Sequence, residues 1–414
     1  DAARYAVDLL SCIQMQQKPH PEKKKCFLVT YSLQKGIKKF KQAGYDSAKS
    51  KMQQLHNRDC WYPISVDTMS ETERKKALES LIFLVEKKSG KIKARHCANG
   101  SKQRQWMSQD DVASPTVMTE SVLLTATIEA EEQRDVATFD IPNAFIQTPV
   151  EETDAHGDRI VMKIKGAMID MLLDINPELY TPFVAYENGQ RVLYVHIRRA
   201  IYGMLMSGLL FYNKFRASIE ATGFEVNPYD PCVANKTVNG KQHTISWHVD
   251  DLKSSHVDKT VNDDFHVWLQ KEYGQVREVT STRGNRHAYL GMTLDYSTPG
   301  AVKIDMRDYV QDMIDDFPVK LSGKVSSAAN ENLFKVDVRK KLDPLRAEAF
   351  HTFVAKALFL TKRARPDIMP TVAFLCTRVR EPTVNDWVKL VQMMDFLKVT
   401  QNECLPWNPM APEI

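Results

Sequence analysis

The chain has 414 residues, of which 43% are hydrophobic and 26% are charged, and its formal net charge at neutral pH is +4. This length predicts two to four domains or subdomains, and the composition is that of a globular protein. No run of 18 or more apolar residues occurs, so we expect no transmembrane helix, and no signal peptide is recognised. Because the first residue is Asp1 and not Met, the chain is expected to be a segment of a longer polyprotein or an isolated domain.

Charge is distributed unevenly along the chain. Residues 1–110 carry 22 Lys and Arg against 11 Asp and Glu, so the remainder is mildly acidic. A basic first quarter suits a polyanionic partner, although for any single basic run a lysine-rich solvated surface is the favoured explanation. The seven cysteines are scattered without a Cys-x-x-Cys pair, which predicts reduced thiols and no zinc knuckle.

The first third of the chain is predicted to be mainly helical. Residues 1 to about 60 are polar and basic, and their pattern predicts a helical region without a strong apolar face. The apolar spacing within 72–88 predicts a second helix, and Lys91–Arg95 then alternates as a basic strand. Residues 119–131 repeat apolar side chains at helical spacing and predict a third helix.

Two later strands are predicted to end in acidic residues. Val136–Phe139 leads into Asp140, and Pro142 then lacks the backbone donor that regular pairing needs. The β-branched run Thr244–Val249 delivers Asp250 and Asp251 to its tip. Further predicted elements are a strand at 192–197, helices at 205–219, 259–273, 346–364 and 384–399, a hairpin at 286–305 and a polar linker near 321–345.

Three carboxylates on two strands are the donors that a two-metal phosphoryl-transfer site needs. Each Mg²⁺ ion takes oxygen ligands, usually one or two protein carboxylates together with substrate phosphates. Two such ions hold the attacking and leaving oxygens in line. A cap or a surface salt bridge is the alternative for any single aspartate. The whole pattern predicts a mixed α+β protein whose largely antiparallel central sheet bears Asp140, Asp250 and Asp251, with helices packed behind it.

The motifs around these aspartates resemble the reverse transcriptase of copia-type LTR retrotransposons, in the same order, from about residue 52 to the end. The matching segments are Lys93–Arg95, Ser114–Thr116, Asp140 with Ala144-Phe145, Ala200–Gly203, Asn227–Cys232, His248–Asp251, Tyr289–Gly291, Phe350–Lys356 and Arg363–Ile368. The first 50 residues fit weakly, as the segment after an integrase region would.

The resemblance implies an α+β right-hand polymerase. Its regions would be a basic helical leader (1–51), fingers and the start of the palm (52–135), the palm with the catalytic aspartates (136–258), the rest of the palm with the primer-grip hairpin and the start of the thumb (259–320), and a helical thumb or connection region (321–414). The ribonuclease H domain that follows in such polyproteins is expected to be absent.

The family's metal-binding aspartates match Asp140, Asp250 and Asp251. The resemblance also implies that the Ile141 carbonyl contacts the bound ions. Two Mg²⁺ ions are implied as cofactors, with Mn²⁺ as the alternative. Of the adjacent pair, Asp250 would be the more direct ligand.

The resemblance also implies nucleotide and primer contacts. Phe145 matches an aromatic gate that blocks a 2′-hydroxyl, with a plain core phenylalanine as the alternative. Lys93 and Arg95 match a finger strand that meets the triphosphate; contact with template backbone, or solvation, is the alternative. The remaining matches are Tyr202 and Gly203 beside the nascent base pair, and His248, Leu290 and Gly291 at the primer terminus.

Two segments depart from the family pattern. Met204–Leu210 lacks the Lys, Gln, Pro or Arg commonly found there, and His248 stands where most relatives carry Tyr. The implied function is RNA-directed DNA synthesis from dNTPs on an RNA or DNA template with a primer. The partners would include the integrase and ribonuclease H segments of the polyprotein, in a cytoplasmic virus-like particle or the nucleus, with no membrane. The rivals are a decayed or domesticated copy that binds nucleic acid without polymerising, and a purely structural polyprotein segment.

Overall fold

A computed structural model describes residues 30–407 apart from 88, 109–111, 276 and 338–339. Within these residues the protein is a mixed α+β structure, as predicted. The helices are α1 (Leu33–His56), α2 (Glu71–Lys76), α3 (Thr119–Glu131), α4 (Ala167–Ile175), α5 (Pro177–Tyr180), α6 (Ser207–Glu220), α7 (Lys259–Tyr273), α8 (Arg307–Asp316), α9 (Pro344–Thr361), α10 (Met369–Cys376) and α11 (Val384–Val399). None of the helices within the described residues is both long and apolar enough to span a bilayer.

The strands form three sheets. They are β1 (Thr30–Ser32), β2 (Trp61–Ile64), β3 (Leu78–Glu86), β4 (Ile92–Asn99), β5 (Asp135–Asp140), β6 (Val161–Lys165), β7 (Val184–Glu187), β8 (Gln190–Ile197), β9 (Glu225–Val226), β10 (Val233–Val238), β11 (Lys241–His248), β12 (Asp251–His256), β13 (Thr280–Thr282), β14 (Arg286–Tyr289), β15 (Met292–Asp295), β16 (Val302–Asp305) and β17 (Leu405–Trp407). The first sheet has the order β1-β3-β6-β8-β2, with β4 on β3 and β7 on β8. The second has the order β13-β5-β12-β11-β10-β9, and the third β14-β15-β16-β17.

Two large hydrophobic cores and a third, small cluster that includes Ile64 and Tyr194 lie beneath these sheets. One core joins the second and third sheets to α8, α9, α10 and α11, and the other joins the first sheet to α1 and α4. Phe145, in a single 3₁₀ turn after β5, packs against both cores. The segment that follows the first predicted aspartate therefore lies at the junction of the two halves of the molecule.

The helix predicted for 72–88 is wrong beyond its first turn. Ser70 forms a capping box with Glu73 and starts the short helix α2, but Leu78–Glu86 is strand β3. Leu78, Leu84 and their neighbours satisfy both helical and alternating spacing, so local sequence does not separate the two states. Pairing with β4 along eight residues, and with β1 and β6, decides for the strand.

Two further predictions need correction. The predicted 286–305 hairpin contains an extra turn at Leu290–Gly291, so it forms the three strands β14, β15 and β16. Residues 1–29 of the basic leader predicted for 1–51 lie outside the described residues. Beyond that point α1 does present an apolar face, because Ala48, Met52 and Leu55 are buried.

The other predicted elements are confirmed. The helices predicted at 119–131, 259–273 and 384–399 have the bounds of α3, α7 and α11. Those at 205–219 and 346–364 correspond to α6 and α9, shifted by two or three residues at an end. The linker near 321–345 lies between α8 and α9 and contains no helix or regular strand in its described part.

Candidate active site

Asp140 and Asp251 are direct cross-strand partners in the second sheet. Asp140 is the last residue of β5 and Asp251 the first of β12, and the two antiparallel strands pair in register from Asp251–Asp140 to His256–Asp135. Side chains directly opposite each other project from the same face, with Cβ atoms about 4.5–5.5 Å apart. The backbone N–H of Ile141 also donates to the Asp250 carbonyl oxygen at 3.0 Å. The fold thus brings together Asp140, Ile141, Asp250 and Asp251, which the sequence separates by about 110 residues.

The hairpin between β11 and β12 holds Asp250 in a strained turn. His248 pairs with Asp251, which leaves Val249 and Asp250 as a two-residue loop. Val249 has φ +59°, a left-handed conformation that β-branched residues rarely adopt and that costs about 1–3 kcal/mol. Two-residue hairpins demand positive φ at this first position, so the tight connection imposes the strain.

Burial and mutual repulsion act on both aspartates of the hairpin. Burial raises the pKa of Asp250, and the charges of Asp251 and Asp140 raise it further. Burial and then Asp140 also raise the pKa of Asp251, whereas His248 opposes both shifts. Carboxylates held together in this way disfavour their own ionised form, which a bound cation would stabilise.

The donors around the hairpin are of the kind that divalent cations prefer. Carboxylate and backbone carbonyl oxygens suit Mg²⁺ or Mn²⁺ more than softer metals. Within the described ranges, however, no group of three or more His, Cys, Asp or Glu side chains is already arranged to hold a metal ion. The chemistry of the donor set fits a divalent ion, and the predicted ligand set of Asp140, Ile141, Asp250 and Asp251 stays a prediction.

Phe145 and Tyr202 form an aromatic pair beside the aspartates. Their ring centroids lie 4.6 Å apart at an interplanar angle of 57°. Partial burial raises the pKa of Tyr202 to about 12, and the charges of Asp250 and Asp140 contribute to the shift. Tyr202 is therefore close to both carboxylates, and it remains 37% exposed.

Gly203 is required by a close approach within the chain itself. It has φ +91°, and a Cβ there would lie 2.1 Å from the carbonyl oxygen of Ala98. The Ala98 N–H donates to the Tyr202 carbonyl at 2.8 Å, and the Gly100 N–H donates to the Gly203 carbonyl at 3.1 Å. These bonds attach Tyr202 and Gly203 to the end of β4. The structure accounts for the glycine by this contact, and its predicted position beside the nascent base pair stays a prediction.

Lys93 and Arg95 lie on the exposed face of β4. Burial lowers the pKa of Lys93, and the charges of Lys87, Arg95 and Arg277 lower it further, while Asp140 opposes the shift. Lys93 and Arg95 alternate with a buried Ala94, so both point to the same side of the strand. β4 thus contributes two cations to the side of the site that Asp140 occupies.

The Leu290–Gly291 turn shares a cleft with Asp251. This cleft has a volume of about 440 Å³, and its walls include Asp251, the turn and Tyr309 of α8. Both turn residues have positive φ, +48° for Leu290 and +81° for Gly291. Tyr289, just before the turn, donates its hydroxyl to the Ser246 carbonyl on β11 at 3.2 Å. The turn is therefore held against the hairpin that carries the aspartates.

The segment Met204–Leu210 is largely apolar because most of it packs against the core beneath the first sheet. Met204 is buried there, and Met206 and Leu210 pack against the same cluster. Its polar contact comes from Gln103, whose side-chain carbonyl accepts from the Leu205 N–H at 3.0 Å. No sequence signal marked Gln103, since it lies about 100 residues before the backbone that it holds.

Comparison with known proteins finds relatives that share a low percentage of identical residues with this chain. No family model matches the chain. It is 21% identical over 332 residues to the retrovirus-related Pol polyprotein from transposon TNT 1-94 of Nicotiana tabacum, which covers 78% of this chain and 23% of that protein. It is 19% identical over 394 residues to the transposon Ty1-DR5 Gag-Pol polyprotein of Saccharomyces cerevisiae, covering 93% of this chain and 21% of that protein. The chain thus spans about a fifth of the length of these curated relatives.

Proposed function

The chain is homologous over most of its length to copia-type retrotransposon Gag-Pol polyproteins, and from this premise we propose that it is their reverse transcriptase region. The proposed activity is RNA-directed DNA synthesis, the transfer of a nucleotide from a dNTP to a primer 3′-hydroxyl. The observation that carries the proposal is the cross-strand pairing of Asp140 with Asp251, with Asp250 in the turn beside them. In this proposal the first sheet belongs to the fingers, the second to the palm, and α9 to α11 to the thumb or connection region.

The proposed roles follow from position. Two Mg²⁺ ions, when bound, would neutralise charge on the reacting phosphate and align the two oxygens. Asp140, Asp250 and Asp251 hold the negative charge that attracts such ions. The Leu290–Gly291 turn lines the same cleft as Asp251, and its backbone groups could position a primer end there.

Nucleotide selection would fall to the aromatic pair and the β4 cations. Phe145 packs against two rings, with centroids 6.5 Å from Phe211 and 4.6 Å from Tyr202. A ring held by two neighbours can exclude a 2′-hydroxyl. Lys93 and Arg95 would meet the triphosphate, and template–primer, dNTPs and other polyprotein segments would be the partners.

Primer extension on an RNA template tests the catalytic assignment. We expect Asp140→Asn and Asp250→Asn to abolish extension with Mg²⁺ or Mn²⁺. The matched control is Asp264→Asn, which removes the same charge from the exposed side of α7. Unimpaired extension by either active-site variant would refute the assignment. Salt-dependent template binding by the wild type, without extension under either metal, would favour the non-polymerising copy.

Sugar selection tests the role of Phe145 separately. Phe145→Ala should raise incorporation of ribonucleotides relative to deoxyribonucleotides, because the ring that would block the 2′-hydroxyl is gone. If Phe145 only fills space between the two cores, the variant loses stability and the ratio stays constant. The ratio is measured by competition in single-nucleotide extension, so a general loss of activity cancels.

A further inference from the structure

A second cleft, of about 830 Å³, opens where α1, the 3₁₀ turn after Phe145, α6 and the end of α7 meet. Its walls carry four cations, Arg58, Arg199, Lys214 and Arg277, and two carboxylates, Asp59 and Glu272. The volume falls in the range of about 300–1,000 Å³ typical of small-ligand sites. None of these six residues belongs to the proposed active site.

The four cations outnumber the two carboxylates of the cleft and form no direct ion pair with a described carboxylate. Across the part of the chain that the structure describes, no carboxylate forms an ion pair within 4.0 Å of any of them. The Nε of Arg58 is buried without a hydrogen-bond partner. Arg199 Nε donates to the Arg58 carbonyl at 3.1 Å, and Lys214 Nζ to the Gln147 carbonyl at 2.8 Å, so neutral acceptors hold them near the cleft.

The cations also repel one another. Burial lowers the pKa of Lys214, and the charge of Arg199 lowers it further, while the charge of Glu272 opposes the shift. Burial lowers the pKa of Arg58 in the same way, with Arg199 and Arg277 adding to the shift. An anion that carries several charges and contacts all four side chains would remove this repulsion and satisfy the open donors.

The lining indicates which kind of anion fits. Among the residues that the structure describes, the lining contains no aromatic ring, and Ile146 is its one hydrophobic side chain; the uncharged polar walls are amide and hydroxyl groups. Single-stranded nucleic acids are bound largely by stacking of bases on aromatic side chains, which this cleft lacks. Its chemistry therefore recognises phosphate groups and not bases.

The cleft lies directly behind the nucleotide side of the proposed active site. Phe145 contacts Tyr202, and the next two residues of the same 3₁₀ turn, Ile146 and Gln147, line the cleft. Arg277 acts electrostatically on Lys93, which in turn neighbours Asp140. Ligand in the cleft would thus be separated from the active site by one 3₁₀ turn.

We propose that this cleft is a binding site for a free polyphosphate, a chain of two or three phosphoryl groups. Inorganic pyrophosphate, tripolyphosphate and the triphosphate tail of an unpositioned nucleotide share this chemistry. The site needs no catalytic step, so it is independent of the proposed polymerase activity.

Isothermal titration calorimetry with tripolyphosphate, in the absence of divalent metal, tests the proposal. A charge-assisted hydrogen bond contributes about 1.5–3 kcal/mol, so Arg199→Gln and Arg277→Gln should each weaken binding about tenfold or more. Arg277 is exposed, so Arg277→Gln should leave the packing intact. This variant keeps the test decisive even if Arg199→Gln perturbs the fold. The matched control is Arg380→Gln, an exposed arginine between α10 and α11, which should leave the affinity unchanged.

Further ligands identify the source of the phosphates. If pyrophosphate binds and dTTP binds no more tightly than tripolyphosphate, the ligand is an inorganic polyphosphate. If dTTP binds more tightly than tripolyphosphate, the ligand is the triphosphate tail of a nucleotide. Absence of saturable tripolyphosphate binding overturns the proposal. So does a loss of oligothymidylate binding in both variants with tripolyphosphate binding unchanged, which would make the cleft a nucleic-acid surface. The Asp250→Asn protein should bind tripolyphosphate as tightly as the wild type does. Failure of the polymerase proposal can therefore be distinguished from failure of the polyphosphate proposal.

Discussion

Replacing Lys253 by Met should strongly destabilise the protein, because Lys253 forms a buried ion pair beneath the proposed catalytic sheet. Lys253, two residues after Asp251 on β12, is 1% exposed, and its partner Glu129 on α3 is 2% exposed. The Nζ–Oε1 distance is 2.5 Å, and Nζ also donates to Thr125 Oγ1 at 3.0 Å. The Tyr296 hydroxyl, just after β15, donates to the other Glu129 oxygen at 2.5 Å. One carboxylate thus connects the second sheet, α3 and the third sheet.

The expected loss follows from what remains behind. Met fills most of the space of the lysine stem, but Glu129 loses its cation and keeps only a neutral donor. Removing one partner of a buried pair costs about 3–5 kcal/mol, because a buried charge is left uncompensated. Urea m-values are about 1–3 kcal/mol per molar for small proteins and grow with chain size, so for this chain the unfolding midpoint should fall by at most roughly 1–1.7 M.

Urea unfolding followed by tryptophan fluorescence measures the loss, because the buried Trp247 of β11 reports on the same sheet. Lys271→Met, the same change on the exposed side of α7, should alter stability by less than about 0.5 kcal/mol. Adding Glu129→Gln to Lys253→Met removes the stranded charge while keeping an acceptor for Tyr296, and should recover roughly 2 kcal/mol. The reasoning would be refuted if Lys253→Met lowered the free energy of unfolding by less than about 1 kcal/mol. It would also be refuted if the losses of the two single variants simply added in the double variant.

Three other changes have defined outcomes. Gly203→Ala should lower the urea midpoint more than Gly240→Ala, because both have positive φ but only the first would place a Cβ 2.1 Å from a β4 carbonyl oxygen; equal losses would contradict the contact. Asp251→Asn should raise the thermal midpoint of the metal-free protein at pH 7 while abolishing extension, since burial and Asp140 raise the pKa of Asp251; a lower midpoint would count against this. Burial lowers the pKa of His243 to about 3, so the unfolded chain alone takes up this proton as pH falls from about 6.5, and stability declines toward pH 4. His243→Gln should reduce that slope by up to about 1.4 kcal/mol per pH unit in urea titrations, and an unchanged slope would exclude the assignment.

The sequence by itself determined the elements whose signals are local. The bounds of α7 and α11 follow from a capping residue and a periodic apolar face, as at Asp258 and Thr383. It also placed Asp250 and Asp251 at the tip of a strand, because a β-branched run ending in two acids is readable without any neighbour. Local periodicity failed at Leu78–Glu86, where the spacing fits two structures and pairing with three other strands chose between them.

Only the tertiary structure decided the register that sets Asp140 against Asp251, since strand pairing across about 110 residues depends on packing and not on either strand alone. The same holds for the buried Lys253–Glu129 pair and for the four cations of the second cleft. Each of those residues, taken singly, has the sequence signature of a solvated surface group. Their meaning comes from burial and from one another's charges, and both are properties of the folded arrangement.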